Sequence, residues 1–287
     1  MKKKIKLYAV FLFILITGCV TNPQYTQHDE KNLSNVINLT NDISLPAPVN
    51  EPYIVSLPDQ KAHDIEEPSE SDTIETVVET EKKPMIALTF DDGPSVHTRS
   101  VLNILEKYGV VATFFVLGEN VEVWQDTIKQ AVKNGNEVAS HTWSHIPLTG
   151  LNYQAIEKSV KDTNAAIEKV TGIPCPLFYR PPYGLVNRRI ANISDEIGYS
   201  IVGWTVDPQE WKHFNKNLIY DHVMEYAEEN SIILLHDLHP IMPSAVDLII
   251  PALIAKGYHL VTISELLHHV YGELKPGIMY GNPGILR

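Results

Sequence analysis

The stretch Ile86 to Ser95, "IALTFDDGPS", ends an apolar run on two adjacent carboxylates, Asp91 and Asp92, and then turns on Gly93-Pro94. Two like charges side by side repel, and a core strand gains nothing from them. Further along, "HTWSH" spaces His141 and His145 four residues apart. On a helical turn that spacing puts both imidazoles on one face, able to grip one ion. The chain has twelve His residues, so such a pair also arises by chance as two solvated loop histidines. Asp92 changes the weighing. Two neutral imidazoles and one carboxylate make a three-ligand set suited to Zn²⁺ and similar divalent metals, with Co, Ni and Mn as alternatives. The open fourth position takes water, whose pKa falls to about 7 on such an ion. Adjacent residues on an extended segment point apart, so Asp92 is assigned to the ion and Asp91 to the water, as general base. The competing reading is a helix N-cap, because "DDGPS" precedes a helix-like segment.

Other polar residues fit the same chemistry. Arg180, in "FYRPPYG", is a permanent cation that can hold Asp91 oriented, or simply form a structural ion pair. Pro181 and Pro182 stiffen that loop and Gly184 relaxes it. A stiff loop can present the Tyr183 backbone N–H toward an oxyanion. His236, after "SIILL", is a candidate general acid near neutral pH, against the plainer reading of a structural histidine. Asp207, Glu210, Asp237 and His239 are candidates for tuning it. Trp211 offers a flat apolar wall against a methyl group or a sugar face.

These residues are far apart in the chain, so the elements between them must bring them together. From Pro84 onward apolar runs alternate with amphipathic stretches. The pattern predicts strands over Met85–Phe90, Ala112–Leu117, Glu137–Ser140, Leu177–Tyr179, Ile201–Val206, Ile232–Leu235 and His259–Thr262. Helix-like segments lie between them: Ser100–Tyr108, Val123–Asn134, Tyr153–Val170, Asn187–Ile197, Leu218–Glu229 and Ser244–Ala255, with Ser264–Tyr271 as a last helix. Gly109, Gly135, Gly172, Gly198 and Gly257 stand where most of these helices stop. Seven strands alternating with helices imply parallel pairing and an α/β fold. The carboxyl ends of parallel strands share one rim, and that rim carries the site. The carboxylate pair, "SHTWSH", "RPPYG", "DPQEW" and "HDLH" each follow a predicted strand, so they converge if the strands are placed correctly.

The formal net charge of −12 argues against a nucleic-acid partner, which calls for a basic patch. The N-terminus, "MKKKIKLYAVFLFILITGCV", has a lysine-rich start and an apolar run too short to favour a spanning helix. "ITGC" looks like a bacterial lipobox, with residues 1–18 as signal peptide and lipid on Cys19. A plain secretory signal or an uncleaved anchor are the alternatives. Residues 19–83 are rich in Pro, Glu, Asp, Ser and Thr and show no sustained period, which reads as an acidic, disordered tether. The chain has two Cys. With Cys19 lipidated, Cys175 has no partner, and between its prolines it reads as a small semi-buried residue. The organisation expected is then signal 1–18, tether 19–83, catalytic domain 84–271 and C-terminal tail 272–287. The expected location is the bacterial cell envelope, with the chain lipid-anchored to a membrane.

"TFDDG", "HTWSH", "RPPYG", "DPQEW" and "LLHD", in this order, resemble the polysaccharide deacetylases of carbohydrate esterase family 4. Each motif is modest alone; five in order are highly specific. The resemblance covers Pro84 to about Val270. It implies a distorted (β/α)7 barrel. It implies a divalent metal on Asp92, His141 and His145, with Asp91 as base, Arg180 bracing that base and His236 as acid. It implies that the Tyr183 amide helps hold the oxyanion and that Trp211 and Leu234 surround the acetyl methyl. One position departs from the pattern. The family's fourth motif usually carries Asp just before its Trp, and here Glu210 stands there, so either the longer Glu210 or Asp207 tunes His236. The function implied is hydrolysis of N-acetyl groups on an N-acetylated polysaccharide or oligosaccharide of the envelope. The alternatives are an O-acetyl esterase or a silent glycan-binding lipoprotein on the same fold.

Overall fold

The computed structural model describes residues 83–281. The expected signal peptide, the lipid site at Cys19 and all of the tether except Lys83 lie outside the described residues. Eight strands are present: β1 (Met85–Asp91), β2 (Thr113–Val116), β3 (Glu137–Ser140), β4 (Phe178–Tyr179), β5 (Ser200–Val202), β6 (Ile232–His236), β7 (His259–Leu260) and β8 (Met279–Tyr280). The helices are α1 (Thr98–Tyr108), α2 (Gly118–Val121), α3 (Gln125–Lys133), α4 (Tyr153–Thr171), α5 (Arg188–Ile197), α6 (Glu210–His213), α7 (Lys216–Tyr226), α8 (Met242–Ala255) and α9 (Ile263–Tyr271). The strands hydrogen-bond in the order β6-β1-β2-β3-β4-β5-β8, with β7 on the first residues of β1. All these pairings are parallel. The result is a curled parallel sheet wrapped by helices, the distorted (β/α) barrel expected.

Strand alternation sorts the core. In β1, Ile86, Leu88 and Phe90 face a large cluster built with α1, α3, α7 and α8, including Leu102, Ile128, Val223 and Ile249. Ala87 points the other way, into a smaller cluster with Phe115, Ala139, Phe178, Val202 and Ile232. Strands buried on both faces read as nearly continuous apolar runs, as they do here. Along the Ala87 side, two-residue steps lead to Thr89 and Asp91. The same steps lead from Ala139 to His141, from Phe178 to Arg180, and from Ile232 through Leu234 to His236. The interior face therefore ends in polar groups at the strands' carboxyl ends. Register aligns them: Asp91 pairs with His236 on one side and Phe115 on the other. Ser140 pairs with Val116 and with Tyr179, so His141 and Arg180 follow at neighbouring positions.

Three expectations differ from the structure. The residues read as a tail from Gly272 onward instead supply β8, which extends the sheet beyond β5. Two residues flanked by Gly277 and Gly281 carry too short an apolar pattern to stand out as a strand. Strand β5 stops at Val202 rather than Val206, and Val206 makes only an isolated bridge to Ile233. Its end is diverted because the Val202 and Gly203 carbonyls accept from Arg180. Finally, "HTWSH" is not helical. Thr142 and His145 both take left-handed backbone, at φ 67° and 53°.

Candidate active site

Asp91 is the last residue of β1, and its carboxylate is buried. Arg180 Nη1 donates to Asp91 Oδ1 at 2.6 Å and to Thr89 Oγ1 at 2.8 Å. Arg180 Nη2 donates to the Gly203 carbonyl at 2.7 Å, and the guanidinium lies 4.1 Å from the centre of the Phe115 ring. Arg180 is fully buried. A buried guanidinium costs several kcal/mol unless a carboxylate and further acceptors meet it, and all of these are present. Burial pushes the Arg180 pKa down, and Asp91 opposes that shift.

Asp92 follows with φ 69°, a left-handed conformation that Asp tolerates better than most residues. This flip turns its carboxylate away from Asp91's hydrogen bonds and toward the histidines. Asp92 Oδ1 lies 3.1 Å from His141 Nε2 and 3.1 Å from His145 Nε2. One ligand atom from each of the three residues falls within 4.8 Å of the others. Neither carboxylate caps α1, whose N-cap is His97 with no side-chain hydrogen bond. The two histidines reach the same point through a loop, not a helical turn. Its fold is held by Gly118 and Glu119, whose N–H groups donate to the Thr142 and Trp143 carbonyls, and by Ser159 Oγ, which accepts from Trp143 N.

The proton count at these atoms favours a cation. His141 Nδ1 is 2.7 Å from the Arg180 carbonyl, which can only accept, so Nδ1 carries the proton. In the neutral ring Nε2 is then a lone pair facing a carboxylate oxygen. A proton or a metal ion must lie between them. Burial works against the imidazolium, yet Asp91 and Asp92 raise the His141 pKa. Burial lowers His145 to about 4. Burial alone would raise Asp92, but His141, with His145 and His236, holds its carboxyl well below the usual carboxylate range. Asp92 Oδ1 is buried and makes no conventional hydrogen bond among the described residues. Two imidazole nitrogens and an orphaned carboxylate oxygen fit a divalent cation.

His236 ends β6 opposite Asp91. Its Nδ1 is 2.7 Å from Glu210 Oε1, and its Nε2 faces Asp92 Oδ2 at 3.9 Å. Burial disfavours the imidazolium, but Glu210 first, and then Asp92 and Asp91, raise its pKa to about 9. That value belongs to the metal-free protein; a divalent cation on Asp92 pushes it down. The longer Glu210 thus reaches His236, as the first of the two alternatives required. Asp207 does not. Its Oδ1 accepts from Gln209 N at 2.9 Å, and it lines a cavity of about 210 Å³ with Tyr183, Gly184 and Trp204. His239 stacks on Phe214 at 4.1 Å and also stands apart from this pairing.

Tyr183 sits at φ 61° in the turn Pro182–Gly184, with its ring 4.5 Å from that of His145. Trp211 is half exposed on α6 beside Glu210, and Leu234 is buried on the His236 face of β6. One participant, Thr89, was not read from the sequence, whereas Asp237 was read as a candidate for tuning His236. Thr89 braces Arg180 and donates to the Ile233 carbonyl; the signal was its two-residue spacing from Asp91. Asp237 is buried directly against Gly93, where a Cβ would meet its Oδ1 at 2.6 Å. Burial raises the Asp237 carboxyl to about 7. Cys175 is a free, buried thiol whose pKa burial pushes up, in keeping with its plain reading.

The site is thus a parallel barrel whose carboxyl rim brings together Asp92, His141 and His145, which could hold a cation, flanked by a braced carboxylate and a braced histidine. Comparison with known proteins narrows this to one family. A family profile described as polysaccharide deacetylase matches residues 78–202. A peptidoglycan-N-acetylglucosamine deacetylase of Bacillus cereus is 35% identical over 191 residues, covering 64% of this chain and 89% of that protein. The chain therefore belongs to the polysaccharide deacetylase family. It is also 42% identical over 193 residues to the peptidoglycan-N-acetylmuramic acid deacetylase PdaC of Bacillus subtilis. That match covers 67% of this chain and only 40% of the longer relative. Among solved structures, a family 4 acetyl xylan esterase from Clostridium thermocellum, in complex with a cobalt ion, superposes with a TM-score of 0.64 at 35% identity. That match covers 69% of this chain and 98% of the esterase chain.

Proposed function

We propose that this protein is a metal-dependent hydrolase that removes N-acetyl groups from the sugars of a cell-envelope polysaccharide, peptidoglycan or an exported glycan, and releases acetate. The observation that carries this reading is the convergence of Asp92, His141 and His145 between two separately braced proton carriers, Asp91 on Arg180 and His236 on Glu210. A divalent cation held by the three ligands, zinc with cobalt, nickel or manganese as alternatives, supplies Lewis acidity and a more acidic water. Asp91, aimed by Arg180, takes the proton of the attacking water. The Tyr183 backbone N–H stabilises the oxyanion that forms as the carbonyl becomes tetrahedral. Glu210 accepts a hydrogen bond from His236 Nδ1–H, which leaves the Nε2 proton facing the site. His236 passes that proton to the departing amine as the amide C–N bond breaks. Trp211 and Leu234 wall the acetyl methyl.

The lipobox-like "ITGC" and the acidic stretch behind it support an envelope protein with lipid on Cys19 and residues 19–83 as tether. The names of the two bacterial relatives support peptidoglycan as the substrate. The esterase relative puts acetylated xylan on the panel of alternatives. Acetate release from peptidoglycan, chitooligosaccharides and acetyl xylan, with metal stripped and zinc restored, tests the reading. Release from N-acetylated substrates is expected only with metal. Asp91→Asn is expected to lower turnover by about 10³-fold, in the range of a lost general base, with folding and metal content retained. Unchanged turnover removes Asp91 from the mechanism.

A further inference from the structure

The loop between β3 and α4 carries both histidines of the cation site, and its backbone is costly. Thr142 and His145 are left-handed, a conformation that residues with a Cβ disfavour. Contacts from outside must therefore hold it. The hydrogen bonds from Gly118, Glu119 and Ser159 fix its first half. The second half closes in a short 3₁₀ turn, Leu148–Gly150. That turn begins three residues beyond His145, at most about 11 Å of chain. The end of a helical turn leaves carbonyls without helical partners, and here one side chain collects them. Arg189 Nη1 donates to the Leu151 carbonyl at 2.7 Å. Its Nη2 donates to the Thr149 carbonyl at 3.0 Å and the Leu148 carbonyl at 3.3 Å. Arg189 is exposed, where a single hydrogen bond holds little. Three acceptors on one planar guanidinium share a single ordering cost, and a lysine ammonium has no such fork.

Arg189 stands in the first turn of α5, whose N-cap Asn187 accepts from Ile190 N at 3.0 Å. The segment from Arg180 to Arg189 meets the histidine loop at three points. The Arg180 carbonyl accepts from His141 Nδ1, the Tyr183 ring packs on the His145 ring, and Arg189 gathers the carbonyls of the closing turn. Leu148 is buried in one apolar cluster with Tyr179 and Ile190, which flank this segment. The two imidazoles differ in their support. A backbone carbonyl fixes the His141 ring directly. His145 is placed by a ring contact and by its own backbone, so its position follows the loop.

We infer that Arg189 is a positioning residue for the cation site: by clamping the turn Leu148–Leu151 it sets where His145 stands, and so tightens the hold on the metal. The inference rests on the reading of Asp92, His141 and His145 as cation ligands. Zinc affinity of the full chain, measured by competition with a chromophoric chelator, tests it. Arg189→Ala is expected to raise the zinc Kd about tenfold, the low end for residues that orient a metal ligand. Arg189→Lys, which keeps the charge and loses the fork, is expected to fall between the two, and it carries the test alone if the alanine variant does not fold. His145→Ala supplies the decisive background. With that ligand gone, changing Arg189 is expected to leave the weakened Kd where it is, because the two residues act as one unit. A general loosening of the fold would instead weaken zinc equally in both backgrounds. Equal losses, or a zinc Kd unchanged by either Arg189 variant, overturn the inference while the cation reading stands. A parent chain that binds no zinc overturns the cation reading and the inference with it.

Discussion

At the scale of single residues, the repulsion between Asp91 and Asp92 is resolved by sending them to different partners. Asp91 meets a buried guanidinium, and Asp92 turns through left-handed backbone to two imidazoles. Glu210 has the comparable task for His236. Its carboxylate raises the histidine's pKa, so in the proposed mechanism the charge on Glu210 sets the pH at which His236 stops acting as acid. A general acid loses activity as pH rises through its pKa. Glu210→Gln is therefore expected to move the falling, alkaline limb of the pH–rate profile to lower pH by about 1 unit or more, at equal metal loading. A limb that stays in place would show that Glu210 does not tune His236. The same shift bears on folding. Because the folded pKa is raised to about 9 in the metal-free protein, the His236 contribution to stability is complete below the unfolded value of about 6.5. It is lost as pH rises through about 9.

At the scale of elements, the short pieces matter as much as the long ones. Strand β8 contributes two residues, yet it covers the edge of β5 that would otherwise be open. Tyr280 is buried there, its hydroxyl accepts from Lys275 N at 2.8 Å, and its ring packs 4.9 Å from Tyr271. Truncating such a side chain costs about 3 kcal/mol by analogy with other buried aromatics. Tyr280→Ala is thus expected to lower Tm by roughly 6–12 °C with the cation ligands untouched. A Tm unchanged by the variant would mean that β8 is dispensable to the fold. The loop carrying His141 and His145 is an element of the same kind. It has no regular pattern of its own and is shaped by hydrogen bonds from α2 and α4.

At the scale of the molecule, parallel strands deliver residues from Asp91 to His236 to one rim, and the cation completes the electrostatics there. Without it, the Asp92 carboxylate and the imidazole nitrogens rely on protons to separate their lone pairs. A ligand that binds only the folded state raises its stability by mass action. Chelation is therefore expected to abolish acetate release and to lower Tm together, and zinc is expected to restore both. Activity that survives exhaustive chelation would rule out a metal role for Asp92, His141 and His145. Among the described residues there is no disulfide to stabilise the domain, since Cys175 is a free, buried thiol. Reducing agent should leave Tm unchanged.

The sequence by itself determined the class of fold and most of the site. Apolar runs and helix-ending glycines are local signals, so six of the seven predicted strands lie within about two residues of their observed bounds. Residue chemistry also acts locally: two imidazoles and an acid carboxylate bind a cation wherever the backbone joins them. Only the tertiary structure decided how they are joined. The histidines meet Asp92 through left-handed residues in a loop, because neighbouring helices hold that loop from outside the motif. The end of β5 is set by Arg180, which draws its carbonyls from another strand. The choice of Glu210 over Asp207 depends on where α6 places a carboxylate relative to β6, a distance in space that spacing along the chain does not encode.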